Sequence, residues 1–211
     1  MLEEGGFKKK LILASASPRR KKVLELLKLD FEVIKPEDFE EERLKDPYRT
    51  VVQNSIAKAR SVYNYLKKRE HGGESKSYPG GFLIAGFDTI IYINRRILGK
   101  PSGMEEAIGF LKVLSGKIHL AISGVCIMDS VSGKYIYDTE TTRVKFRKIT
   151  MAEIEKYVNK EVVTDKAGAY DVSGYGSLLV EKINGCFFNI AGFPVSRFVD
   201  LLGKSGFNVI D

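Results

Sequence analysis

Short apolar runs alternate with amphipathic stretches through the first half of the chain. Residues 11–14, LILA, read as a buried strand, and Val23, Leu24, Leu26 and Leu27 mark the apolar side of a helix over about 18–28. FEVI at 31–34 reads as a second strand. An acidic loop then leads into a helical pattern over about 50–69, with Val51, Ile56, Ala59, Val62, Tyr63 and Leu66 as its core positions. HGGESKSYPGG at 71–81 has the glycine, serine and proline content of a mobile surface loop.

The second half is richer in strands. FLIAGFDTIIYI at 82–93 reads as two short β runs interrupted at residues 86–89, with a turn at NRR. Residues 103–114 are helical in pattern. HLAISGVCIMD and YIYDTETTRVKF, joined through SVSGK, form a predicted hairpin. A helix over about 151–159, a hairpin around KINGC and a last helix over about 194–202 complete the prediction. Strands separated by helices, followed by antiparallel hairpins, predict an α/β protein with a mixed sheet flanked by helices. There is no internal repeat. The sequence holds no GxGxxG and no GxxxxGK[ST], which argues against a dinucleotide-binding fold or a P-loop.

Composition adds bounds. With 211 residues, 44% hydrophobic and 29% charged, the chain has the make-up of a globular protein, and one domain over 1–211 is expected. The net charge of +7 points to an anionic partner. Basic and acidic residues are interspersed, without the long like-charged block of a nucleic-acid tail, so a local anion site is favoured over nucleic acid. Cys126 and Cys186 lack zinc or disulfide spacing; Cys126, within GVCIM, reads as a small buried hydrophobe. The apolar run after KKK is too short for a signal peptide or a membrane span, so no membrane partner is expected and a cytoplasmic location is.

One stretch conflicts with its own local rules. Ser17 and Pro18 mark a helix start, with serine as the cap and proline in the first position. Arg19, Arg20, Lys21 and Lys22 follow at once. A helix N-terminus carries partial positive charge, and an exposed cation there costs roughly 0.3–1 kcal/mol. An anion docked at this turn would reverse the sign, because amides, serine hydroxyls and guanidinium forks would converge on its oxygens. Charge rules alone leave that reading open beside a solvated basic face.

SASPRR also resembles the N-terminal signature of the Maf family of nucleoside triphosphate pyrophosphatases. The likeness continues in order through NSIAKA (54–59), GFDTIIYINRRILGKP (86–101), LSGKIHLAISGV (114–125), DKAGAYDVSG (165–174) and INGCFFNIAGFPVSRF (183–198). It implies an elongated α/β fold with a cleft between two lobes. It also implies hydrolysis of a nucleoside triphosphate to the monophosphate and pyrophosphate with a divalent cation such as Mg, Mn or Co. The family often forms dimers, which leaves a homodimer open without the sequence deciding it.

The resemblance assigns roles by position. Asp88 would be the proton acceptor, and Glu40 and Asp88 the metal ligands. Ser15, Ser17, Arg19, Arg20, Lys58 and Lys100 would bind the phosphates, with Lys166 a weaker candidate. Arg19 and Thr89 match two positions linked to dTTP and UTP selectivity. The third, glutamine in that subgroup, is Ser173 here. A hydroxyl cannot present the paired donor and acceptor of an amide, which leaves the base open between a pyrimidine and a modified purine such as 7-methyl-GTP. An ordinary aspartate is a weak base at neutral pH, so Asp88 needs metal-acidified water or a shifted pKa. A nucleotide-sensing regulator of cell division is the rival class. His119, in a β-rich run, reads as structural, and His71 as exposed.

Overall fold

The computed structural model describes residues 9–71 and 80–209. Most of the glycine-rich loop, and the side chain of His71, fall outside them. The elements are β1 (Lys10–Ala14), α1 (Pro18–Leu26), β2 (Phe31–Ile34), α2 (Pro47–His71), β3 (Phe82–Ile93), β4 (Arg96–Leu98), α3 (Met104–Leu114), β5 (Ile118–Asp129), β6 (Tyr135–Phe146), α4 (Met151–Lys160), β7 (Val180–Asn184), α5 (Phe187–Ile190) and α6 (Val195–Lys204). Short 3₁₀ turns occupy Ala167–Ala169 and Tyr175–Leu179.

The sheet is mixed, in the order β2-β1-β3-β5-β6-β7, with β4 added to the far end of β3. β1 runs parallel to β2 and β3, and the remaining pairs are antiparallel. Among the described residues no helix is long and apolar enough to cross a membrane.

The two long strands β3 and β5 serve both halves of the molecule. In the first half, alternate residues of β3 face opposite ways: Leu83, Ala85 and Phe87 pack with Phe193 and Phe198 on one side. Phe82 and Ile84 pack against Ile56, Ala59 and Val62 of α2 on the other. In the second half, Ile91 and Ile93 join Leu111, Phe146, Ile154 and Tyr157 in a separate core. Asp88 and Thr89 lie at the passage between these cores.

Three expectations need correction. The run 82–93 is one continuous strand, not two. Gly86 does not break it; a Cβ there would stand 2.2 Å from the Ser55 carbonyl oxygen, so the glycine exists to let α2 approach the sheet. Gly124 of β5 serves the same contact, its would-be Cβ meeting the Val51 carbonyl oxygen at 2.3 Å. The segment around KINGC is not a hairpin: β7 pairs with β6, and Phe187–Ile190 then turns into a short helix. Leu26, assigned to the apolar side of the first helix, is 66% exposed, while Val23 and Leu24 carry its burial. Cys126 is fully buried, as its apolar run implies, and burial pushes its thiol up to about 12.

Candidate active site

The cleft originates as a gap in the sheet. Pairing of β3 with β1 ends at Gly86, and pairing with β4 starts at Ile91. Among the described residues, residues 87–90 therefore have no strand neighbour on that edge. Side chains from both faces of β3 reach this gap, although Asp88 and Thr89 point in opposite directions along the pleat. A cleft of about 420 Å³ opens here, within the range of small-molecule sites. Its walls include the turn 15–20, the loop segment 35–43, α2, the β4 end and residues 190–192.

On the α2 side of β3, Asp88 is buried and held at both oxygens. Lys58 Nζ donates to Oδ1 at 2.6 Å, and Asn54 Nδ2 donates to Oδ2 at 3.1 Å. The two donors lie four residues apart on α2, hence on one face. Lys58 Nζ also pairs with Glu41 Oε1 at 2.8 Å. Although partial burial works to raise it, the Glu41 carboxyl is held below the usual value by Lys58, Lys100 and Arg20.

On the other side, Arg20 is bonded to neutral oxygens. Nε donates to the Gly192 carbonyl at 2.9 Å, Nη1 to Ser15 Oγ at 3.1 Å and Nη2 to Thr89 Oγ1 at 3.3 Å. Its guanidinium also lies 5.6 Å from the centre of the Phe87 ring. Burial pulls its pKa down to about 10 against the opposing pull of Asp88, so the group stays charged at neutral pH. Thr89 Oγ1 further shares a hydrogen bond of 2.8 Å with Ser123 Oγ.

The basic turn resolves by residue. Arg19 lines the cleft, donating to the Asp165 carbonyl at 3.4 Å and facing Asp171 Oδ2 at 3.8 Å. Lys21 turns outward to Glu25, at 3.6 Å, and Lys22 is exposed. Ser17 stands at the helix cap without a side-chain capping bond; its amide donates to Ser15 Oγ at 3.2 Å. Ser15, Ser17, Arg19, Arg20, Lys58, Asp88, Thr89 and Lys100 are thus brought to one cleft.

Three sequence assignments are not brought there. Glu40 is exposed and outside the cleft wall, and its neighbour Glu41 takes the place at Lys58. Ser173 is exposed, with Oγ donating to Asp171 Oδ1 at 2.6 Å. Lys166 is buried beside the wall, donating to the Val162 carbonyl and, at 2.6 Å, to Asp165 Oδ1. His119 is structural: its Nε2 bonds the Tyr170 hydroxyl at 2.8 Å, and burial pulls its pKa down to about 4, keeping it neutral. Sequence reading missed Asn54 and Glu41. Polar residues four apart at Thr50, Asn54 and Lys58, on the helix face that also carries Val51 and Ala59, were the available signal for Asn54.

Asp88 and Glu41 offer hard oxygen donors, and one or two carboxylates with substrate phosphates are a common magnesium environment. Among the described residues no group of three or more His, Cys, Asp or Glu side chains converges, and Lys58 is the shared partner of the two carboxylates.

The Maf-like protein family model matches residues 10–205. The chain belongs to this family. Relatives named dTTP/UTP pyrophosphatase resemble it along nearly its whole length. That from Thermotoga maritima is 41% identical over 197 residues, covering 93% of this chain and 90% of the relative. One from Clostridium botulinum strain Okra is 39% identical over 204 residues, covering 95% and 100%. One from Thermoanaerobacter sp. strain X514 is 41% identical over 197 residues, covering 92% and 96%. This Maf-like chain gathers Arg19, Arg20, Lys58 and Lys100 with Asp88 in one cleft, and carries Ser173 in its GAYDVSG turn.

Proposed function

We propose that the chain hydrolyses a nucleoside triphosphate, dTTP or UTP, to the monophosphate and pyrophosphate. The observation that carries the reading is Asp88 at the sheet gap, its carboxylate fixed by Lys58 and Asn54, across from the charged Arg20. The relatives' names support the substrate class.

Asp88 accepts the proton of a water whose oxygen forms the new bond to the α-phosphorus. The bond from that phosphorus to the bridging oxygen breaks, and its electron pair leaves with pyrophosphate. Arg20, Arg19 and Lys100 face the polyphosphate and stabilise charge as it develops on the leaving group. Lys58 holds the Asp88 carboxylate aimed. A divalent cation held by Asp88 and Glu41 would lower the pKa of bound water and neutralise phosphate charge. The remaining contribution is positioning of reactants.

The test is pyrophosphate release from a panel of ribo- and deoxynucleoside triphosphates, with 7-methyl-GTP included, in magnesium, manganese or cobalt. dTTP and UTP are expected to lead. A leading 7-methyl-GTP would move the substrate to a modified purine. No release from any triphosphate would overturn the proposal.

A further inference from the structure

Asn54 is 3% exposed, and its amide is bonded in two directions at once. Toward the sheet, Nδ2 donates to Asp88 Oδ2 at 3.1 Å. Toward the acidic loop, the same nitrogen donates to the Glu42 carbonyl at 3.1 Å while Oδ1 accepts from the Glu42 amide at 2.8 Å. This pairing with both backbone groups of one residue needs a donor and an acceptor side by side, and the Asp88 contact needs a second N–H. Of the side chains of this size, only asparagine supplies all three.

A second bond set separates two roles. Thr50, four residues earlier on α2, holds the same loop: its Oγ1 accepts from the Leu44 amide at 3.1 Å and donates to the Asp46 carbonyl at 2.9 Å. Thr50 has no bond to Asp88. Ser61 of α2 holds the loop further at the Glu37 amide, and among the described residues Asn54 is the α2 side chain that bonds both the loop backbone and the Asp88 carboxylate.

We propose that Asn54 is a positioning residue for the hydrolysis, fixing the Asp88 carboxylate plane and setting where Glu41 stands relative to it. The proposal rests on Asp88 being the proton acceptor. A carboxylate has about four lone-pair directions. Lys58 and Asn54 occupy one on each oxygen, so the remaining directions are assigned to the cleft. Without Asn54, Asp88 is free to rotate about its single tie to Lys58.

The experiment compares Asn54→Leu with Thr50→Val for kcat, KM and amide hydrogen exchange in the loop, and repeats Asn54→Leu in an Asp88→Asn background. Both single variants are expected to speed exchange at residues 42–46. Asn54→Leu is expected to lower kcat about 10–100-fold, the usual effect of removing an orienting partner, with KM within about threefold. Thr50→Val should stay within about threefold of the parent in kcat, well short of that orienting loss. In the Asp88→Asn background, Asn54→Leu should add no further loss, because its effect passes through Asp88.

Unchanged kcat in Asn54→Leu, a change confined to KM, an equal kcat loss in Thr50→Val, or a multiplied loss in the double variant would each overturn the proposal. Full activity of Asp88→Asn alone would instead overturn the underlying role of Asp88, a distinguishable result. If Asn54→Leu does not fold, Asn54→Gln shifts the amide outward by one methylene. A kcat drop there with KM held supports the proposal, and an unchanged kcat overturns it.

Discussion

The two faces of β3 at the gap carry opposite electrostatics from similar ingredients. On the α2 face one cation, Lys58, is shared by two carboxylates, Asp88 and Glu41. On the opposite face one cation, Arg20, is bonded only to neutral oxygens of Ser15, Thr89 and Gly192. The first group is left net negative and the second net positive, within one cleft. A ligand made of a metal cation and a polyphosphate matches that division, with metal toward Lys58's carboxylates and phosphate toward the arginine. The difference teaches that a cleft cation's partners, more than its presence, decide what it offers a substrate.

The sharpest way to break this picture is at the negative pole. Asp88→Asn keeps the shape and removes the proposed proton acceptor, and is expected to lower turnover on the order of 10³-fold, within the range for acid–base catalysis. Calorimetry on the same variant should find nucleotide binding largely retained; turnover equal to the parent would refute the assignment. At the positive pole, Arg20→Met should weaken nucleotide binding by about 10–100-fold, as expected for losing charged hydrogen bonds. Binding titrations in the Asp88→Asn background check this without turnover, and undiminished affinity would remove Arg20 from the phosphate site. The smallest contrast sharpens the acidic loop: Glu41→Ala should raise the metal concentration for half-maximal activity by about tenfold, the lower end for loss of a metal-site partner. Glu40→Ala should leave that concentration unchanged within error; the reverse pattern would return the ligand role to Glu40.

Much of this was legible in the chain itself, and the exceptions have specific causes. Strand and helix periodicity located most elements because each buries one face or both against a neighbour. β3 was misread because Gly86 and Asp88 have turn chemistry, while their actual environment is α2 pressed on the sheet and an ion pair. The basic turn pointed to the positive pole of the cleft, since four cations at a helix start conflict with the local dipole, and two of them, Arg19 and Arg20, line it. Glu41, and not Glu40, lines the cleft and pairs with Lys58, a choice that successive acidic loop residues conceal until a lysine from another element selects one. Ser173 was read into the cleft from its motif position, whereas its hydroxyl is turned to Asp171. Asn54 acquires meaning only when Glu42 and Asp88, 12 residues before it and 34 after it, are brought to the same amide.

Gly86 and Gly124 give the contact between α2 and the sheet a further meaning. With no side chain at either point, the helix rests on bare backbone, as would-be Cβ atoms at 2.2 and 2.3 Å from its carbonyl oxygens indicate. The spacing between Lys58 and Asp88 is therefore gauged by main-chain thickness, a dimension that substitution elsewhere in the core does not alter. A side chain at either position would push the helix outward and lengthen the Lys58–Asp88 span.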